Sequence, residues 1–149
     1  MNGSVPEPKA PVRGPALLLR YWLPVLAYVV LIFSLSSIQG SRLPNTFPYA
    51  DKIAHLLEYS LFGLLVGRAI RFTLVGLGAA LVTLAAVLIG AAVGFADEMY
   101  QGHVPGRQRD PTDWLTDVAA VAIAVVLARV ISVGRQGGTV REQSPEQGI

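Results

Sequence analysis

Cysteine is absent from the 149-residue sequence, and charged side chains are scarce. The missing cysteines exclude disulfides, thiol catalysis and cysteine metal sites, although they do not identify a compartment. Only 15% of the residues are charged, whereas soluble domains contain roughly 25%. The net charge is +2 and the basic residues are spread along the chain, which argues against nucleic-acid binding. The composition therefore favours a protein that lies in lipid.

Long apolar stretches are what the sequence has instead. A helix needs about 20 mostly apolar residues to cross the hydrocarbon of a bilayer. Four stretches approach or reach this length, at residues 21–38, 53–67, 74–96 and 114–133. The sequence therefore predicts an all-α, integral membrane bundle of four transmembrane helices, with the lipid bilayer as its main partner.

Polar residues interrupt two of these stretches. His55 and Glu58 lie in the second, and Asp117 lies in the fourth. Both stretches are apolar on all faces beyond their first turns, whereas a helix lying in the interface would keep a polar stripe along its length. We therefore prefer spans to interfacial helices.

The small residues of the third stretch would let helices approach closely, either within the bundle or against another copy, so the oligomeric state stays open.

The two ends of the chain differ from this apolar middle. Residues 1–19 are predicted to be a disordered N-terminal arm and residues 134–149 a disordered C-terminal tail, because both are polar and rich in residues that favour disorder. The domain proper is predicted at residues 20–133. The apolar run after the arm is too long for a signal peptide and lacks a clear cleavage site.

Basic residues predict the orientation. Eight of the twelve fall in the arm, in the turn between the second and third spans, and at the C-terminal end. In a four-span protein these three regions share one face, which the positive-inside rule assigns to the cytoplasm. Both termini are then cytoplasmic, and the loops at residues 39–52 and 97–113 lie on the extracytoplasmic side.

Most acidic residues outside the tails fall near that opposite face. Asp51, His55 and either Glu58 or Tyr59 follow helical spacing at the start of the second span, so they share one helix face. Glu98 and Gln101 are three residues apart at the end of the third span. Asp110, Asp113 and Asp117 step by three and four into the fourth. Three helix ends therefore predict one shared polar pocket, with Lys52 and Arg107 neutralising part of its negative charge.

Structural roles are the alternative for several of these residues. Asp51 and Asp113 could cap helices or complement their positive N-termini. Tyr59 could be an ordinary aromatic residue of the membrane interface. His55, Glu58 and Asp117 lie deepest, where an unpaired charge costs at least about 2–3 kcal/mol. For these three we favour a functional site, or pairing within one.

The order of the motifs resembles the VanZ-like family of small bacterial membrane proteins. The chain has SLSS at residues 34–37, DKIAHLLEY at 51–59, DEMYQ at 97–101, PGR at 105–107 and DPTDWLTD at 110–117. The resemblance covers roughly residues 21–131. It implies a multi-pass protein of the bacterial cytoplasmic (inner) membrane and an association with glycopeptide (teicoplanin) resistance. The family pattern falls here on the following candidate site residues: Asp51, Lys52, His55, Tyr59, Glu98, Gln101, Arg107, Asp113 and Asp117.

Three functions compete. The first is binding of a cell-envelope ligand, such as a lipid-linked precursor or a lipoglycopeptide, at the extracytoplasmic membrane face. The second is a membrane-embedded hydrolase or transferase acting on a lipid phosphate or glycan, with His55 as general base or with a metal held by histidine and carboxylates. The third, least favoured, is a transporter or proton relay. The sequence predicts no cofactor, leaves a metal open, and does not decide whether the protein is an enzyme.

Overall fold

Four α-helices form most of the structure. The computed structural model describes residues 14–40 and 49–141, with side chains up to residue 133. The helices are α1 (Pro15–Ser36), α2 (Ala50–Thr73), α3 (Ala79–Gln101) and α4 (Pro111–Arg141). Each of them is long and apolar enough to cross a membrane. The predicted all-α bundle of four transmembrane helices is therefore confirmed, and no strand occurs within the two described ranges.

Proline and glycine mark several boundaries of these helices. Pro15 and Pro111 begin α1 and α4, where the missing backbone N–H leaves no hydrogen bond unmade. Gly76 turns the chain between α2 and α3 with a φ of 95°, a value that glycine adopts more readily than other residues. Because this turn is short, α2 and α3 are antiparallel neighbours.

Two helices extend beyond the predicted domain. α1 begins at Pro15 rather than at residue 20, and α4 continues to Arg141, into the segment predicted to be a disordered tail. An existing helix gains one hydrogen bond for each residue added to it, which a prediction from composition does not consider. Residues 1–13 and 142–149, the remainder of the predicted arm and tail, lie outside the described residues.

The core of the bundle is built around α2. This helix contacts all three others and shares its largest interface with α4, while α1 contacts only α2 and α3. Tyr59, Phe62, Val66 and Ile70 are buried at helical spacing along one face of α2. By contrast, many large apolar side chains point outwards from all four helices. Such an outer surface suits lipid, where its exposure carries no hydrophobic penalty.

Glycines allow α4 to approach its neighbours closely. Val121 of α4 lies between Gly63 of α2 and Gly90 of α3. A Cβ atom at Gly63 would lie 2.9 Å from the Cα of Val121, and one at Gly90 would lie 2.7 Å from its Cγ2. The small residues of the third span that face α4 therefore serve packing inside the bundle.

We expect Gly63→Ala to destabilise the protein. The added methyl group meets the backbone of Val121, which no side-chain rotation can relieve. Overpacking of this kind costs about 1–3 kcal/mol, so the purified variant should melt at a lower temperature in detergent. Gly78→Ser is the matched control, because a Cβ atom there meets nothing within 4 Å. Equal melting temperatures for both variants would contradict this account of the α2–α4 contact.

Candidate functional site

Polar side chains from three helices and one loop meet at one end of the bundle. This end holds the C-termini of α1 and α3 and the N-termini of α2 and α4, and we call it the polar end. The side chains brought together there form the polar cluster, which comprises Lys52, His55, Tyr59, Asp97, Glu98, Gln101, Arg107, Asp110, Asp113 and Asp117. Eight of the nine residues predicted from the sequence belong to it.

Asp51 is the predicted residue that lies apart. It is exposed, in the first turn of α2. Lys52, His55 and Tyr59 occupy the inward face of the same helix instead, at spacings of three and four residues. A negative charge in a first turn is favourable beside the positive end of the helix dipole, which matches the structural alternative for Asp51.

A buried pair joins α2 to α4. The Nδ1 atom of His55 lies 2.9 Å from Oδ1 of Asp117, and both side chains are buried. An ionised carboxylate can only accept hydrogen bonds, so Nδ1 is the donor and carries the proton when Asp117 is charged. This fixes the tautomer of a neutral imidazole and leaves Nε2 as its acceptor nitrogen. The ring of His55 also stacks on that of Tyr59, with the centroids 6.2 Å apart.

Lys52 makes the second link between α2 and α4. Its Nζ donates to Oδ1 of Asp113 at 2.6 Å, to Oγ1 of Thr112 at 2.7 Å and to Oδ2 of Asp110 at 3.0 Å. The other oxygen of Asp110 accepts from the hydroxyl and the backbone N–H of Thr112, and so caps α4. The Thr112 hydroxyl and N–H, together with Lys52, lower the pKa of Asp110 to about 2.

Glu98 occupies the middle of the polar cluster. Its Oε2 accepts the backbone N–H of Asp110 at 2.8 Å. Its Oε1 is buried and has no hydrogen-bond partner among the described residues. One potential metal-ligand atom from each of His55, Glu98 and Asp113 lies within 4.8 Å of the other two. The three helices therefore direct an imidazole and two carboxylates towards one point.

A third network attaches α1 to the polar cluster. Gln101 donates through Nε2 to Oδ2 of Asp97 at 3.0 Å and to Oγ of Ser36 at 3.3 Å. Its Oε1 accepts from Arg107 at 2.9 Å. Arg107 also donates to the backbone carbonyl of Ile38, where a positive charge complements the C-terminal end of α1.

Three contributors were not among the nine candidate site residues, namely Ser36, Asp97 and Asp110, although the spacing had placed Asp110 in the predicted polar pocket. The spacing of Asp97 and Gln101, four residues apart on one helix face, could have indicated the third network. Serines in membrane helices commonly bond a backbone carbonyl of their own helix, and Ser34 does so, but Ser36 is buried and accepts from Gln101 instead. No sequence signal distinguishes Ser36 from its neighbours.

Negative charge predominates in the polar cluster. Five carboxyl groups meet two permanently basic side chains, Lys52 and Arg107, and one histidine. Several buried oxygens also lack a donor among the described residues, namely Glu58 Oε1, Tyr59 Oη, Asp97 Oδ1, Glu98 Oε1 and Asp117 Oδ2. Buried acceptors are normally satisfied. The arrangement is therefore suited to taking up a proton, a metal ion or a ligand that presents donors or positive charge.

A family model matches most of the chain. The model described as VanZ/LLP1 matches residues 16–132, which include the whole polar cluster and all but the outermost residues of the four spans. No curated protein and no solved structure matches the chain.

The Asp117→Asn substitution should destabilise the fold strongly. It removes the negative charge that holds the imidazole of His55 in a buried pair, at a cost of about 2–4 kcal/mol. Unfolding in detergent, followed by circular dichroism, measures the loss. Asp51→Asn makes the same chemical change on an exposed carboxylate of the same membrane end and should shift the unfolding free energy by less than about 1 kcal/mol. Similar losses in the two variants would show that the buried pair is not a main support of the fold.

Proposed function

The chain belongs to the VanZ/LLP1 family, and on that premise we propose that the polar cluster binds the headgroup of an envelope amphiphile. The ligand is a lipoglycopeptide such as teicoplanin or a lipid-linked cell-wall precursor, and binding contributes to glycopeptide resistance. The cluster lies at the end of membrane-spanning helices, where the headgroup of an amphiphile would lie while its apolar part stays in the bilayer.

The observation that carries this proposal is the buried carboxylate of Glu98. One oxygen is held by the backbone of Asp110, and the other has no partner within the described part of the chain. Leaving a charged acceptor unsatisfied in a buried site costs more than about 1–3 kcal/mol. Folds tolerate such a cost at sites where a ligand or ion supplies the missing partner.

The excess of acid indicates the chemistry of the headgroup. An ammonium group, as in a lipoglycopeptide, would donate directly to Glu98 and balance its charge. A phosphate of a lipid-linked precursor would meet repulsion from the carboxylates unless a metal ion lay between them. The polar cluster therefore favours a cationic headgroup over a bare phosphate.

The orientation proposed from the sequence is consistent with this ligand. Arg20, Arg68, Arg71 and Arg129 lie towards the end of the bundle opposite the polar cluster. The positive-inside rule assigns that end to the cytoplasm. We therefore place the protein in the bacterial inner membrane with both termini cytoplasmic, so that the polar cluster faces the compartment in which cell-wall precursors and glycopeptides meet.

Glu98→Gln tests the proposal because it removes the charge while keeping the shape and one acceptor for Asp110. We expect wild-type protein in phosphatidylcholine nanodiscs to bind fluorescent teicoplanin saturably, and Glu98→Gln to bind it at least about tenfold more weakly, which corresponds to loss of one charge-assisted hydrogen bond. Asp51→Asn is the matched control, since it also removes one negative charge at the same end of the bundle, from an exposed carboxylate that lies apart from the cluster.

The same variants are then scored in cells for membrane level and for teicoplanin susceptibility. Loss of protection at a normal membrane level supports the proposal. The proposal would be refuted if neither teicoplanin nor a purified lipid-linked precursor bound saturably to the wild-type protein. Equal teicoplanin binding by the wild type and Glu98→Gln would also refute it.

A membrane-embedded hydrolase or transferase is the second candidate, and one observation favours it. An enzyme needs its groups within reach of one another, and potential ligand atoms of His55, Glu98 and Asp113 lie within 4.8 Å. The Nδ1 atom of His55 is bonded to Asp117, which is how proteins orient a histidine whose Nε2 binds a metal. A divalent ion there would neutralise the carboxylates and admit a lipid phosphate.

Manganese binding separates the two candidates. If the enzyme proposal holds, chelator-treated protein should bind one Mn²⁺ ion per chain, seen as loss of the free-ion signal in electron paramagnetic resonance. His55→Gln should abolish that binding and Arg109→Gln should leave it intact. Absence of Mn²⁺ binding by the wild-type protein, or failure of metal-loaded protein to release phosphate from a polyprenyl phosphate, would contradict a metal-dependent enzyme.

A further inference from the structure

The end of the bundle opposite the polar cluster contains a groove between α2, α3 and α4. Its volume is about 460 Å³. Arg68 and Arg71 line it from α2, and Arg129 lines it from α4. Gly63 and Gly67 of α2 also line it. We call it the basic groove.

The three arginines of the basic groove lack counter-charges in the described structure. Each is exposed, and no carboxylate of the described residues forms an ion pair with any of them, since the ion pairs formed there involve Lys52 and His55. The acidic residues of the described ranges lie at or near the polar end. Three guanidinium groups around one groove, all lacking an anion, produce a strongly positive local potential.

Apolar side chains form the remainder of the lining. Phe72, Leu77, Val82 and Val125 contribute to the walls. All of them belong to the membrane-spanning helices or to the turn between α2 and α3. The basic groove thus combines positive charge at its rim with an apolar interior, at a depth where a lipid places its headgroup above its acyl chain.

We propose that the basic groove binds an anionic phospholipid, with the phosphate held by Arg68, Arg71 and Arg129 and the acyl chain against the apolar wall. Guanidinium groups match the geometry of phosphate oxygens and form bidentate hydrogen bonds with them. A soluble phosphate would satisfy the arginines but not the apolar walls. The proposal is independent of the ligand of the polar cluster and concerns the opposite membrane surface.

The test compares two lipids with identical acyl chains. Full-length protein in neutral detergent is titrated with phosphatidylglycerol or phosphatidylcholine, and the bound lipid is counted by native mass spectrometry. We expect one phosphatidylglycerol to bind preferentially. Each of the substitutions Arg68→Gln, Arg71→Gln and Arg129→Gln should weaken that binding about fivefold, because one basic group near a membrane surface contributes about that factor.

Arg20→Gln is the matched control. Arg20 lies at the same end of the bundle and is exposed, but it does not line the basic groove, so its removal should leave binding within about twofold of wild type. Ala128→Phe supplies a second, uncharged variant. Ala128 is an exposed residue of the groove lining, and the phenyl ring should obstruct the acyl chain with no change of charge.

Three results would overturn the proposal. Equal binding of phosphatidylglycerol and phosphatidylcholine would show that the charge of the lipid does not contribute to binding. An equal loss in Arg20→Gln and Arg129→Gln would show general attraction to the basic end rather than a site. Displacement of the lipid by inorganic phosphate at the same concentration would show an anion site without lipid specificity. Folding of each variant is checked by its circular dichroism spectrum. If an arginine variant fails to fold, lipid binding by Ala128→Phe tests the proposal in its place, and binding equal to that of the wild type would contradict it.

Discussion

The hydrogen bond between His55 and Asp117 joins α2 to α4 at a depth where neither side chain is exposed. An ionisable group in that position has to find a partner or lose its charge. Once these two residues are paired, the rotation of α2 and α4 about their axes is restricted. Lys52 then falls beside Asp113, one turn nearer the membrane surface. The packing of Val121 between Gly63 and Gly90 continues the same interface deeper into the bundle.

The architecture could be predicted from the sequence because the bilayer sets the length of each span. Hydropathy located all four helices, although it ended the third span near residue 96 and the structure ends α3 at Gln101. The difference arises because a hydropathy window stops at the first charges, whereas Asp97 and Glu98 have hydrogen-bond partners that let the helix continue. These partners are Gln101 of the same helix and the backbone of Asp110 in the following loop, and a hydropathy window takes no account of such bonds.

The composition of the polar cluster was largely predictable, but its pairings were not. Helical spacing puts Asp51 and His55 on a common face, yet Asp51 is exposed and Asp117 is the residue that bonds to His55. Which carboxylate bonds to His55 depends on how each helix is rotated about its axis relative to its neighbours. Side-chain packing across the whole bundle determines that rotation. Asp97 was left out of the candidate residues for a related reason: its spacing relates it to Gln101 within α3, but not to the helices that bury it completely.

The separation in sequence between His55 and Asp117 has a consequence for biogenesis. The two residues are 62 positions apart, so α2 emerges from the ribosome well before α4 does. During that interval α2 carries Lys52 and His55 without the carboxylates that later bind them, and an isolated helix with such residues partitions poorly into hydrocarbon. α2 can therefore reach its final pairing only after α4 has been synthesised. Completion of the fold then depends on the last helix, which supplies the carboxylates that bind Lys52 and His55.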